Sequence, residues 1–267
     1  MHETADYNAC MCLLVFAWKS HPEYALVFAG NRDELHARPA APAGFWEHSN
    51  RVVGGRDLQA GGTWLGITSG GRFAVVTNYR TGLNPQKAPR SRGELTADFL
   101  HSEIPGDTYI HAVTERAHDY GAFSLIVGDH NALWYFSNRG EPEPRMVSPG
   151  VHGLSNHLLD TPWPKVTRSI AHMQTLVKTQ TLTNDTLFFL LAERTPAADA
   201  QLPDTGIGRK RERQVSPVFV VNPVYGTRCS SVIFLHADGQ ARFAERRFDA
   251  AGQVLETRSF HLSACKS

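Results

Sequence analysis

Three side chains whose types suit joint chemistry lie near the start of the chain: Cys12 in "ACMCLLVFAW", and Arg32 with Asp33 in "AGNRDE". A thiolate is a nucleophile, and neighbouring cations favour it over the thiol. Arginine presents a forked donor set to carboxylates and phosphates, while an aspartate accepts from an ammonium. Asn31 and Glu34 complete a run of four polar residues after the apolar "YALVFA". The same run would also mark a strand that has merely reached water, with Glu34 a solvated, capping or pairing carboxylate.

The elements around them decide whether they can meet. "CLLVFAW" (12–18) and "YALVFAGNRD" (24–33) flank the turn "KSHPE" and read as a β-hairpin. Antiparallel pairing lays the end of the second strand beside the start of the first, so Asn31, Arg32 and Asp33 converge with Cys12 at one sheet edge. "RVVGGRD", "GTWLGIT" and "RFAVVTNY" continue as short strands, broken by the glycines of "AGG" and "SGG". A helix follows at "SRGELTADFLHS", where Ser91 and Glu94 have capping-box spacing. Another spans "GDTYIHAVTERAHDY" and is closed by Gly121; two more lie at "WPKVTRSIAHMQTLVKTQ" and "NDTLFFLLAERT". Strands recur at "FSLIVGD" and "ALWYFSN", and three close the chain, the first of them "SSVIFLH". The longest loop covers 196–217. Its basic "GRKRER" (208–213) reads as solvated loop or, alternatively, as a guide for an anionic ligand or lipid headgroup.

Strands, then helices, then strands do not give the alternation of a doubly wound parallel sheet. The order fits an α+β fold: two mainly antiparallel sheets packed together with helices outside, as one domain over residues 11–267. With 27 basic and 26 acidic residues the net charge is +1, so no global field recruits nucleic acid or a membrane. Cys10, Cys12, Cys229 and Cys265 make no disulfide framework in a chain this long and suit a reducing compartment. Cys10 and Cys12 form a C-x-C pair with no second pair to complete a zinc site, so no metal is expected. "CLLVFAW" falls short of the roughly 20 apolar residues of a membrane span, and no transmembrane or secretory segment is expected. The location implied is cytoplasmic.

Taken in order, "MCLLVFAW", "NRDE", "ARP", "GGTWLGI", "TNYR", "SRGELTADFL", "SNRGEPEP", "GLSNHLLDTPWPK" and "YGTRCSSVIFL" resemble the NRDE family, the transport and Golgi organisation 2 proteins. That family in turn resembles N-terminal-nucleophile (Ntn) hydrolases of the cysteine type, which implies a four-layer αββα sandwich. By this resemblance Cys12 would be the nucleophile and its own α-amine the general base, a group that titrates near pH ~7.7–8. Asp33 would orient the amine, Arg32 and Arg228 would flank the thiolate, and Asn78 and Asn156 would serve an oxyanion or ligand amides. From the residues alone, Asn78, Asn156, His152 and His157 are equally readable as turn and loop residues, Cys229 as a core residue, and Trp64 and Trp163 as core or pocket wall.

Family members typically begin at the equivalent of Met11, whereas this chain carries ten more residues. If the chain starts at Met1, Cys12 has an amide nitrogen and no base. Three readings stay open: Met11 is the true start, residues 1–10 are a removed propeptide, or the fold kept its pocket without hydrolysis. The resemblance also implies haem mobilisation and acyl-CoA or lipid handling. The leading expectation is therefore a carrier of a small amphipathic anionic metabolite, with Asn31, Arg32, Asp33 and Glu34 at the pocket. No cofactor is required. Any haem would be held without covalent linkage, since C-x-x-C-H is missing, and no axial ligand is selected. The alternative is a cysteine amidohydrolase or thioesterase. A scaffold for trafficking partners ranks below both.

Overall fold

The first apolar run lacks alternation because both of its faces are buried. Leu14, Phe16 and Trp18 enter one core, and Val15 and Ala17 another. This strand, β1 (Met11–Trp18), pairs antiparallel with β2 (Tyr24–Leu35), forming the expected hairpin. The computed structural model describes residues 11–47, 49–82, 88–140 and 143–263; the extension 1–10, with Cys10, and Cys265 lie outside them.

A seven-stranded antiparallel sheet follows the chain almost as a meander. Its strands are β3 (Ala40–Trp46), β4 (Ser49–Asp57), β5 (Leu65–Thr68), β6 (Phe73–Asn78), β7 (Phe123–Gly128), β8 (Leu133–Ser137) and β9 (Arg145–Met146), in that spatial order. Helices α1 (Arg92–His101) and α2 (Gly106–Glu115) interrupt it after β6. The second sheet gathers the two ends of the chain. It adds β10 (Gly150–Leu154), β11 (Tyr225–His236), β12 (Ala241–Phe248) and β13 (Val254–Leu262) in the order β10-β1-β2-β11-β12-β13. Helices α3 (Pro164–Thr179), α4 (Asn184–Leu191) and α5 (Arg209–Gln214) lie between β10 and β11 in sequence.

Three apolar cores hold four layers together. Phe16, Phe28, Phe73, Ile126, Tyr135 and Phe243 fill the space between the sheets. Leu95, Phe99, Ile110 and Val113 seat α1 and α2 on Phe123 and Leu125 of the seven-stranded sheet. Met173, Leu187 and Leu191 seat α3 and α4 on Val15, Val27 and Val232 of the other. The fold is the αββα sandwich that the element order suggested. The α1 capping box forms as expected, with Ser91 accepting from the Gly93 amide and Glu94 from the Ser91 amide.

Four local departures have physical causes. The helix expected to reach Gly121 stops at Glu115, and one tight 3-10 turn at Ala117–Asp119 instead turns Ala117 and Tyr120 into the core under α1. Strand β3 went unforeseen because Pro39 and Pro42 flank and interrupt it. It sits at a sheet edge, where a missing N–H is tolerated, and its register slips between Ala41 and Gly44. The stretch 208–213 is largely helix α5 rather than open loop, because Glu212 turns inward to a buried partner described below. Most important, β2 does not reach water at Asn31. Every residue from Ala25 to Glu34 is buried.

Helix α3 lies close on β10 because Gly153 has no side chain. A Cβ there would fall 2.7 Å from Val166 Cγ1 and 3.1 Å from Ile170 Cδ1. Val166 is β-branched and stiff, so it cannot turn away cheaply. Gly153→Ala should lower unfolding free energy by about 1–3 kcal/mol, the usual range for overpacking, as measured by urea denaturation.

Candidate functional site

Register brings the predicted residues together. Cys12 lies opposite Arg32 across β1 and β2, and Arg32 lies opposite Cys229 across β2 and β11. Paired residues share a face, and successive residues alternate between faces. Arg32 and Glu34 therefore accompany Cys12 on the inter-sheet face, while Asn31 and Asp33 face the helices. The site straddles the sheet at the starting end of β1 rather than collecting on one rim.

On the inter-sheet side the Arg32 guanidinium lies over the Trp64 ring at 4.2 Å and reaches Glu34 Oε2 at 3.5 Å. Glu34 also faces Arg38, whose Nη2 donates to Asp57 at 2.7 Å. Arg228 occupies a break in register between Thr227 and Cys229. Its Nη1 donates to the carbonyl oxygens of Leu35 and Arg38 at 2.8 and 3.0 Å. Burial and then the nearby Arg32 push its pKa down. Cys229 is buried, and burial pushes its thiol up, followed by the charge of Glu245. It is a core thiol, as its surroundings in sequence implied.

On the helical side Asn31 is fully committed. Its Nδ2 donates to the carbonyls of Leu191 and Val218, and its Oδ1 accepts from Ser230 at 2.6 Å. It ties the end of α4 and the approach to β11 onto the sheet. Asp33 Oδ1 accepts from Thr227 Oγ1 at 2.6 Å. Burial raises its pKa to about 6, against the opposing pull of Lys165, Thr227 and Arg32.

Asn156 joins the two sheets at this end. It is buried in the left-handed region, φ 42°, which asparagine tolerates better than most residues. Its Oδ1 accepts the Cys12 main-chain N–H at 3.0 Å, and its Nδ2 donates to the Asn78 carbonyl at 2.9 Å. Ser155 Oγ donates to the Cys12 carbonyl at 2.8 Å. Asn78, half-buried at the end of β6, thus meets the site through its backbone. His157 stands alongside: Tyr79 Oη lies 2.7 Å from its Nε2, and Thr161 Oγ1 2.9 Å from its Nδ1. Burial and then Arg80 lower its pKa. His152 instead pairs with Asp160 at 2.8 Å.

Sequence reasoning missed Lys165, Arg80 and Glu212. Arg80 Nη1 and Glu212 Oε2 form a buried ion pair at 2.7 Å, and the Arg80 guanidinium lies 4.8 Å over Trp163. Lys165 is 3% exposed, and burial lowers its pKa to about 8 although Asp33 pulls the other way. One signal was present: Lys165 directly follows the Pro164 that opens α3, a helix end whose dipole disfavours cations. Among the described residues no group of three His, Cys, Asp or Glu side chains is arranged to hold a metal.

The family model of Transport and Golgi organisation 2 matches residues 11–250. The human Transport and Golgi organization protein 2 homolog is 36% identical, over 95% of this chain and 99% of its own length. The bovine homolog is 38% identical, over 88% and 92%. Among solved structures, a mutant of a conjugated bile acid hydrolase from Clostridium perfringens is similar in fold. Its TM-score is 0.53, covering 94% of this chain and 92% of that one at 7% identity.

Asp33 carries a testable pH dependence. Folding moves its pKa from 3.8 to about 6, so between those values the folded chain holds a proton that the unfolded chain has released. Stability contributed by that proton is lost as pH rises. Asp33→Asn keeps an oxygen for Thr227 but does not titrate. From about pH 4 to about pH 7 the wild type should lose about 2 kcal/mol relative to Asp33→Asn, read from urea melts at each pH.

Proposed function

The chain belongs to the transport and Golgi organisation 2 family, and we propose that it binds and hands on an amphipathic metabolite bearing an anionic group, haem or an acyl-CoA. The observation that carries this reading is the neighbouring pair Arg32 and Arg228. The charge of Arg32 disfavours that of Arg228, and Arg228 spends its hydrogen bonds on main-chain carbonyls, with no carboxylate within 4 Å among the described side chains. An anionic group offsets such a like-charge pair, and a guanidinium presents planar donors to carboxylate or phosphate. Trp64, stacked on Arg32, offers an apolar face beside the charge. No helix among the described residues is long and apolar enough to cross a membrane, which is compatible with the cytoplasmic site of action in this reading.

Titration of haem and of palmitoyl-CoA into the purified chain tests it. Arg32→Gln and Arg228→Gln should each weaken binding at least about tenfold, the worth of one charge-assisted hydrogen bond. Cys12→Ala should leave affinity nearly unchanged. Lack of affinity for both ligands ends the proposal.

A second reading, a cysteine hydrolase of amides or thioesters, is favoured by one specific contact. Asn156 holds the Cys12 nitrogen at 3.0 Å, where a free α-amine would be fixed if Cys12 were the first residue. Protein isolated from its host should then show, by intact mass spectrometry, a chain beginning at Cys12. Turnover of a thioester or acyl-amide panel should vanish in Cys12→Ala. A mature chain that keeps residue 11 rules out the α-amine as base.

A further inference from the structure

Two open sheets have four edges, and three of them are blunted. Pro39 and Pro42 flank and interrupt β3, and β9 is only Arg145–Met146. At β10 the Gly153 N–H donates to Asp160 Oδ1 at 2.8 Å, and the Gly153 carbonyl accepts from the Asp160 N–H at 2.7 Å. Such devices matter because an open edge templates pairing with another chain. The fourth edge, β13, has none of them. It runs Val254–Leu262 without proline and pairs on one side only, with β12. Among the described residues no main-chain hydrogen bond reaches its other side.

The side chains of β13 specify what fits there. Leu262 enters the core between the sheets, and Arg258 Nη1 donates to the Ala43 carbonyl at 3.4 Å, so the even-numbered residues face inward. Of these, Val254 is exposed, and Phe260 is half-buried, with Phe45 at 5.8 Å. Phe45 is itself exposed and widens the apolar rim. Between Val254 and Phe260 stand Glu256 and Arg258. Glu256 accepts from Arg247 Nη1 and from Arg258 Nε, each at 2.8 Å. A carboxylate has about four lone-pair sites, so it can take a further guanidinium. The inward face thus reads apolar, acidic, basic, apolar. Turned end for end, that series matches itself.

We propose that β13 pairs antiparallel with β13 of a second copy, about a two-fold axis at Thr257, so that two six-stranded sheets become one continuous sheet. Glu256 then lies opposite Arg258 of the second copy, and Val254 opposite its Phe260. Symmetry repeats both contacts. On the outward face, exposed Leu255 meets Ser259 of the second copy. The neighbouring registers are worse. An axis at Glu256 or at Arg258 sets that charge directly against its own copy. An axis between residues sets inward side chains against outward ones. Charge therefore selects both the partner and the register. A single strand pair makes a small interface, so the equilibrium is reversible, with a Kd on the order of 10 μM.

Sedimentation equilibrium of the full chain should show monomer and dimer exchanging over about 1–100 μM. Arg258→Gln removes both ion pairs across the axis and should raise the dissociation constant about fivefold. A second measurement reads the register without altering charge or core, because residues 255, 257 and 259 are exposed. In a Cys10→Ser and Cys265→Ser background, Thr257→Cys sets two thiols opposite each other. Leu255→Cys and Ser259→Cys leave them about 14 Å apart. A short bis-maleimide should link Thr257→Cys into a covalent dimer at least about tenfold faster than either, read on a denaturing gel. A chain that stays monomeric over the whole concentration range overturns the proposal. So does a dimer that Arg258→Gln leaves unchanged, or one in which position 257 links no faster than 255 or 259.

Discussion

The burial of four polar residues in the middle of a sheet constrains everything else in this molecule. Asn31, Arg32, Asp33 and Glu34 lie on β2, which is hydrogen-bonded on both sides, to β1 and to β11. Their backbone groups are satisfied by the sheet, but their side chains have left water, and removing a charge from water costs several kcal/mol unless it is compensated. The surroundings supply the compensation residue by residue. Thr227 donates to Asp33, Ser230 donates to Asn31, and both donors sit on β11, the strand contributed by the far end of the chain. That shared requirement explains why β11 is inserted beside β2, although about 190 residues separate the two in sequence.

Alternation along β2 then divides the site into two halves with different chemistry. The inter-sheet half holds cations at fixed positions: Arg32 stacked on Trp64, and Arg228 braced by main-chain carbonyls. Such groups suit recognition, since their geometry is set and their charge does not change near neutral pH. The helical half holds Asp33 and Lys165, whose pKa values burial draws toward each other, to about 6 and about 8. Groups with values that close to neutrality suit proton handling. Cys12 lies at the start of β1 on the inter-sheet half, opposite Arg32.

Much of this was legible from residue types. The hairpin that pairs Cys12 with Arg32 follows from two apolar runs and a turn, and the capping pattern located α1. The layers followed from the order of strands and helices. What stayed hidden depended on contacts between distant segments. Four polar residues at the end of an apolar run give no sign that a strand from the far end of the chain will cover them. Glu212 sits in a basic stretch, and only Arg80, 132 residues away, reveals why it turns inward and makes α5 a helix. β3 was masked by two prolines that an edge strand accommodates. Lys165 is one of several lysines in sequence. Its distinction is burial, a property of α3 packing on β1 and β10.

The two proposed uses of the site are not rivals in physical terms. An acyl thioester with an anionic carrier group needs a cation for the carrier and a thiol at the acyl carbon. Arg32 and Cys12 are cross-strand partners, so binding through the first brings the ligand beside the second. Whether chemistry follows depends on one proton, because a neutral thiol binds without reacting while a thiolate attacks. A chain that keeps residue 11 has an amide at Cys12 and so lacks the α-amine as acceptor. The difference between a carrier and an enzyme on this frame therefore reduces to whether that thiol meets a proton acceptor with ligand in place.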